Sequence, residues 1–223
     1  MSPTLIAVLG HAAAKATIER HAPYWEKAEC DIVCVGRKDI EVPWPSIKRQ
    51  VGALRIGNDG YAGGLNHLER LMILLRWFAE ECRSYSSICV IEYDGVFLGP
   101  LRVGQQLRIF MSTPAGGSDG SDGFAPCTYF HTPWWFDHYG AELALDYGSR
   151  MLNMQIYERG FVDRWLGLLV GLYRLPWSPA PSFSVNSLDR PEYMAAAREA
   201  VCKGAVYVHG VKTELQLRQL TAP

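Results

Sequence analysis

The stretch Ile88-Cys-Val-Ile-Glu-Tyr-Asp-Gly-Val-Phe-Leu-Gly-Pro100 decides how this chain is read. Its apolar run, Ile88 to Ile91, is that of a buried central strand. The run ends in two carboxylates, Glu92 and Asp94, before Gly95 breaks it. Side chains alternate along a strand, so residues two apart share a face. Both acids are therefore predicted to point the same way at the strand's C-terminal end, where open α/β sheets place their ligands. Two adjacent acids repel, and each costs free energy to desolvate. A hard cation, Mg²⁺ or Mn²⁺, shared with substrate phosphates makes such a pair favourable. A solvated turn after a buried strand is the plainer alternative.

Upstream, Thr4–Leu9 reads as a buried strand ended by Gly10-His11, followed by an alanine-rich helix from about Ala12 to His21. Asp31–Val35 is a second buried strand, closed by Gly36-Arg-Lys-Asp39. Strand, helix, strand at this spacing opens a parallel α/β sheet. No G-x-G-x-x-G follows the first strand, so a Rossmann dinucleotide site is unsupported. A weaker strand, Ala53–Ile56, leads into Gly57-Asn-Asp-Gly-Tyr-Ala-Gly-Gly64. That loop either brings backbone N–H groups to an anion or is a plain connection. Behind it Leu68, Leu71, Met72, Leu75, Phe78, Ala79 and Cys82 keep the 3.6-residue period of a helix. Asn66 and Arg70 share a neighbouring face near its start, placed to meet a phosphate or base. A solvated helix surface is the alternative for Arg70.

Downstream, Gln106–Met111 reads as a strand and 113–123 as a long Gly-rich loop. Cys127–His131 returns to extended chain. Pro133 is read as a helix start, introducing Trp134-Trp-Phe-Asp-His138 and an amphipathic helix to Leu145. The tryptophans are either core or a stacking pocket beside Asp137 and His138. Residues 151–175 read as mainly helical, and 176–181 as a turn. Pro191 and Gly204 bracket a helix through Ala195 to Lys203. Ala205–Lys212 is a closing strand, and Thr213–Leu220 a last helix.

The 223 residues suit one sizeable α/β domain, and 48% hydrophobic with 20% charged residues predicts an ordinary core. A formal net charge of -1 gives no overall field toward nucleic acid or anionic membrane. Cysteines 30, 34, 82, 89, 127 and 202 are scattered without a C-x-x-C, as in a reduced, cytoplasmic protein. The longest apolar stretch, Trp165 to Leu175, is too short to span a bilayer.

The order of these parts resembles the GT-A class of nucleotide-sugar glycosyltransferases. Glu92-Tyr93-Asp94 matches the acid-x-acid motif of that class, with Glu in place of the more usual first Asp. Segment 57–83 resembles the part facing the nucleotide, and His209-Gly210-Val211-Lys212 the closing His-x-x-Lys element. The resemblance implies one GT-A-like, Rossmann-related domain with a central, mostly parallel sheet flanked by helices. Residues 1–100 would be the nucleotide-binding half, and 101–223 the acceptor half with the closing metal and phosphate segment. It further implies a Mn²⁺ or Mg²⁺ ion held by Glu92, Asp94 and His209, with Glu92 direct or through water. The donor is expected to be a nucleoside-diphosphate sugar such as a UDP-sugar, met by His11, Arg37, Asn66, Arg70 and Lys212.

An inverting enzyme also needs a general base for the acceptor hydroxyl. Asp163 is the first candidate, with Asp137 and His138 behind it; capping the helix at 165–170 is the alternative role for Asp163. A retaining enzyme needs none of them. The acceptor expected includes a hydroxylated base in DNA, met by Lys48, Arg49, Arg55, Arg102 and Arg108. The rivals are a nucleotidyltransferase on a related fold and a non-catalytic nucleotide- or sugar-binding domain. Gly10-His-Ala-Ala-Ala-Lys15 is a poor version of the Gly-rich basic signature such nucleotidyltransferases carry. A cytoplasmic monomer or small homo-oligomer without a membrane partner is expected.

Overall fold

Continuous apolar strands such as Leu5-Ile-Ala-Val8 cannot leave either face in water, and the chain satisfies them by covering one sheet on both sides. The computed structural model describes residues 3–37, 41–56, 64–102, 109–111, 132–153, 166, 178–179, 182–185 and 187–222; the side chains of 64–69, 109–111, 151–153 and 178–179 are not included in that description. Four strands run parallel: β1 (Thr4–Leu9), β2 (Asp31–Gly36), β3 (Gln50–Arg55) and β4 (Ser87–Glu92). Beyond β4 the sheet continues through β7 (Trp134–Asp137), β6 (Ile109–Met111) and β8 (Ser178–Pro179) in the order β3-β2-β1-β4-β7-β6-β8. The protein is thus α/β, with a mostly parallel central sheet flanked by helices.

Strand parity sorts the core into two layers. Leu5, Ala7, Val33, Val35, Ile88 and Val90 face α2 (Gly64–Glu81) and α3 (His138–Asn153), meeting Leu71, Leu75, Phe78 and Ala141. The intervening Ile6, Val8, Ile32, Cys34, Cys89 and Ile91 face α1 (Lys15–Trp25), meeting Ile18, Ala22 and Trp25. Burying each such side chain fully contributes about 1.5–3 kcal/mol. Among the described residues no helix is long and apolar enough to cross a membrane.

The reading of Pro133 as a helix start is corrected. Trp134–Asp137 is a strand, antiparallel to β4 with Trp135 opposite Cys89 and Phe136 opposite Ile88. Trp135 joins the α1 layer, while Trp134 and Phe136 join the other. An aromatic run with both faces buried gains more in the sheet than in a one-sided helix, and Pro133 stands just before the ladder, where its missing N–H is tolerated. The helix begins only at His138. Gln106–Met111 and the helix over 151–175 are described only in part, and Cys127–His131 falls outside the described residues.

A second, smaller sheet grows out of the end of β4. After the turn at 93–95 the chain forms β5 (Val96–Phe97), which pairs antiparallel with β10 (Tyr207–His209), itself parallel to β9 (Ser182–Ser184). Helices α4 (Pro191–Cys202) and α5 (Glu214–Thr221) pack against it through Met194, Ala197, Leu217 and Leu220. The two sheets are therefore joined at the acid pair itself.

Asp137 has a structural role at the start of α3: its Oδ1 accepts from Gly140 N at 2.6 Å. Replacing it by Ala should lower stability by about 1 kcal/mol, as for other lost helix caps. Urea unfolding midpoints of Asp137→Ala and the parent chain check this.

Candidate metal centre

Strand β4 stops at Glu92, and the chain turns as Gly95 N donates to Glu92 O at 3.0 Å. Asp94 lies in that turn, so the two acids meet through the turn and not through strand alternation. A Cβ at Gly95 would sit 1.8 Å from the Tyr207 hydroxyl, so glycine is required there by space alone. Strand β10 then brings His209 across: its Nε2 lies 2.9 Å from Glu92 Oε2 and 3.0 Å from Asp94 Oδ1. One ligand atom from each residue lies within 4.8 Å of the others, and among the described residues this is the only such gathering of three. His209 and Asp94 side chains are 4% and 8% exposed, whereas Glu92 is 32% exposed and forms the open side.

The local sequence holds His209 in place. Val208 pairs with Val96, fixing the register of β10 beside the turn. Gly210 follows at φ +85, in the left-handed region, and a Cβ there would lie 2.3 Å from Val185 O. Val211 N donates to Asp94 O at 2.9 Å, tying the closing segment directly to the acid turn. Gln216, buried on α5, accepts from Lys212 N at 2.7 Å and Thr213 N at 3.0 Å, and donates to Asp189 Oδ1 at 2.8 Å. The Thr213 and Gln216 pair forms a capping box, which sets where α5 starts.

Burial alone would push the His209 imidazole down, but the charge and hydrogen bonding of Asp94 and Glu92 outweigh it and hold His209 up at about 10. Burial likewise works to raise Asp94, and His209, with Lys212 behind it, holds that carboxyl below its usual range. A proton thus occupies the space between three donor atoms. Asp94 Oδ1 is buried, with the His209 nitrogen as its close neighbour. Cis ligands of an octahedral ion with bonds of about 2.1 Å lie about 3 Å apart, the spacing of His209 Nε2 from each carboxylate here. Two carboxylates and an imidazole are also a donor set that Mn²⁺ or Mg²⁺ accepts. The residues fit a divalent ion.

The other sequence-predicted residues divide by position. Lys212 is exposed three residues beyond His209. His11 follows β1 at the same sheet edge, capping Ala13 N through Nδ1 at 3.2 Å, with its ring 6.3 Å from that of Tyr93. Arg37 stands just past β2, half-buried. Asn66 and Arg70 belong to the first turns of α2, with the Asn66 side chain outside the description. Asp137 and His138 are not brought to the triad. Asp137 is paired with Ser87 at the far end of β4, about 17 Å along the strand from Glu92. His138 bonds Tyr85 O at 2.9 Å through Nε2 and stacks on Phe78 at 4.4 Å. Asp163 and Arg108 lie outside the described residues.

Sequence reasoning missed His21 and Trp25 on α1. His21 Nδ1 lies 2.9 Å from Tyr93 O, and Trp25 Nε1 donates to Gly95 O at 2.8 Å. Their i, i+4 spacing on a buried face was the available signal, but a backbone acceptor leaves no mark in sequence.

Comparison of the sequence with protein-family models finds no match, and neither does comparison with curated proteins.

Burial pushes His21 down to about 4, against the pull of its bond to Tyr93 O. With a folded value below the unfolded one, the unfolded chain binds more protons between pH 6.5 and 4. Its contribution is therefore complete above pH 6.5 and lost as pH falls toward 4. The loss should reach about 3 kcal/mol, and His21→Leu should flatten that part of the profile. Urea unfolding between pH 4 and 7.5 measures it.

Proposed function

We propose that this chain is a divalent-metal-dependent transferase of the GT-A type, moving a sugar from a nucleoside-diphosphate donor to an acceptor hydroxyl. The observation that carries the reading is the convergence of Glu92, Asp94 and His209 at the C-terminal edge of a mostly parallel sheet. Glu92 and Asp94 come from the central strand and its turn, and His209 from a second sheet, so candidate ligands from two sheets meet at one place. When bound, a Mn²⁺ or Mg²⁺ ion supplies positive charge against the diphosphate that leaves. Glu92, Asp94 and His209 would hold it.

The chain's own residues account for the remaining needs of that reaction. Lys212, exposed beside the triad, adds a point charge for phosphate oxygens. His11 and Arg37 stand at the ends of β1 and β2, on the edge where a base and ribose would lie. Arg70 lies in the first two turns of α2, half-buried. Of the proposed bases only Asp163 remains, since Asp137 caps a helix and His138 holds a carbonyl at the opposite end of β4. Lys48, Arg49 and Arg55 are all exposed at or near the edge strand β3, which supports trial of a hydroxylated DNA acceptor.

Thermal shifts with a panel of nucleoside diphosphates and nucleotide sugars, with and without Mn²⁺, test the proposal. One diphosphate should raise Tm only with metal, and Asp94→Ala should remove the effect. Absence of any nucleotide-dependent shift would sink the reading.

A pH dependence follows from His209. It must lose its proton to bind a metal, and it is held protonated up to about 10. Below that value each ion bound releases about one proton, so Mn²⁺ affinity should rise about tenfold per pH unit between pH 6 and 9. Calorimetric titration in buffers of different ionisation enthalpy reads both the affinity and the proton count.

A further inference from the structure

Three consecutive peptide carbonyls around Asp94 each meet a donor from outside the turn. Tyr93 O meets His21 Nδ1 at 2.9 Å, Asp94 O meets Val211 N at 2.9 Å, and Gly95 O meets Trp25 Nε1 at 2.8 Å. A carbonyl only accepts, so the His21 Nδ1 carries the proton and donates. Each peptide is planar, so fixing successive carbonyls fixes the planes on both sides of Asp94. What remains free at Asp94 is the rotation of its own side chain.

His21 and Trp25 lie one helical turn apart on α1, on the same face. Both are fully buried, and so is the bond from Trp25 to Gly95 O, so that carbonyl has no water to turn to if its donor is lost. The preceding residue of the helix reaches the other half of the centre: Arg20 Nη1 donates to Lys212 O at 3.1 Å, and its Nε lies 3.4 Å from Glu214. Helix α1 contributes no ligand atom to the triad. It contacts the backbone of both chain segments that do.

We infer that His21 and Trp25 are positioning residues for the metal centre, holding the Glu92–Asp94 turn at the spacing that an ion requires against the mutual repulsion of its carboxylates. This rests on the metal reading of Glu92, Asp94 and His209. The two donors act through backbone, so a loss of either lets the turn relax while every ligand side chain stays present. A loss of 10- to 100-fold in metal affinity is the usual result when a partner orienting a ligand is removed.

The test measures the Kd for Mn²⁺ alone on the full chain by calorimetry, with the visible spectrum of bound Co²⁺ as a reporter of coordination geometry. Trp25→Phe removes the indole N–H while keeping an aromatic ring, and His21→Leu removes the imidazole donor. Each should raise Kd about tenfold or more and change the Co²⁺ spectrum. His21→Asn, which returns an N–H close to the Nδ1 position, should recover affinity to within about threefold of the parent. His138→Leu is the matched control, because His138 also holds a backbone carbonyl but at the other end of β4. It should lose thermal stability and leave Kd unchanged. If Trp25→Phe and His21→Leu bind Mn²⁺ as the parent does, or weaken it no more than His138→Leu, the positioning role is wrong while the metal centre stands. If the parent chain itself binds no Mn²⁺, the metal reading fails and takes the inference with it.

Discussion

The contact of one buried imidazole with two carboxylates, His209 with Glu92 and Asp94, constrains the chain more than any other. Carboxylates this close repel, and burying even one of them is unfavourable without a cation. A protonated His209 supplies that cation in the free protein, and a divalent ion would supply more of it. Either way the histidine must arrive at the end of β4, although it belongs to a different sheet. The small sheet β5-β10-β9 meets that requirement: it begins right after the acid turn and pairs its first strand with the strand that carries the histidine. Its packing against α4 and α5 then keeps the arrangement from opening.

Different parts of the chain meet different needs of this centre. The parallel strands supply a rigid platform, because β4 is flanked on both sides and apolar from Ile88 to Ile91. Glycines supply space, with Gly95 clearing the Tyr207 hydroxyl and Gly210 clearing the Val185 carbonyl. Gln216 supplies order at the closing segment by holding the backbone of Lys212 and Thr213. Gly95, Gly210 and Gln216 thus serve the centre without a ligand role. A centre built from acids that resist one another needs that surrounding order, since its own components would not keep their spacing.

The parallel half of the fold is legible in sequence because its signals are local and continuous. Leu5 to Val8, Ile32 to Val35 and Ile88 to Ile91 are apolar on both faces, and α2 repeats its apolar residues over four turns. The aromatic run at 134–136 misleads because Pro133 satisfies a helix-start rule, and the decision between helix and strand is made by Cys89 and Ile88 across the sheet. Of the small sheet only the strand at 207–209 is legible, within the apolar Ala205–Lys212; the rest is not, for another reason. Strands of two or three residues carry no periodicity, and their pairing is set by the turn after β4. In the site, the acid pair and His209 are readable because their side chains carry the chemistry. Asp137 and His138 stand beside an aromatic pair in sequence, yet that proximity places them at the wrong end of a strand. His21 and Trp25 are unreadable because the partner of each is a backbone oxygen, which every residue type has.

The separation of 117 positions between Glu92 and His209 has a consequence for the protein while it is being made. Chains emerge at about 5–20 residues per second, so the acids precede their histidine by on the order of ten seconds. Strands β1, β2, β3 and β4 can pair during that interval, because all four are already present. The acid turn then stands on a formed platform with its cation still in the ribosome. Translation speed over the second half of the chain therefore sets how long two carboxylates wait at the rim of a nascent sheet without their histidine.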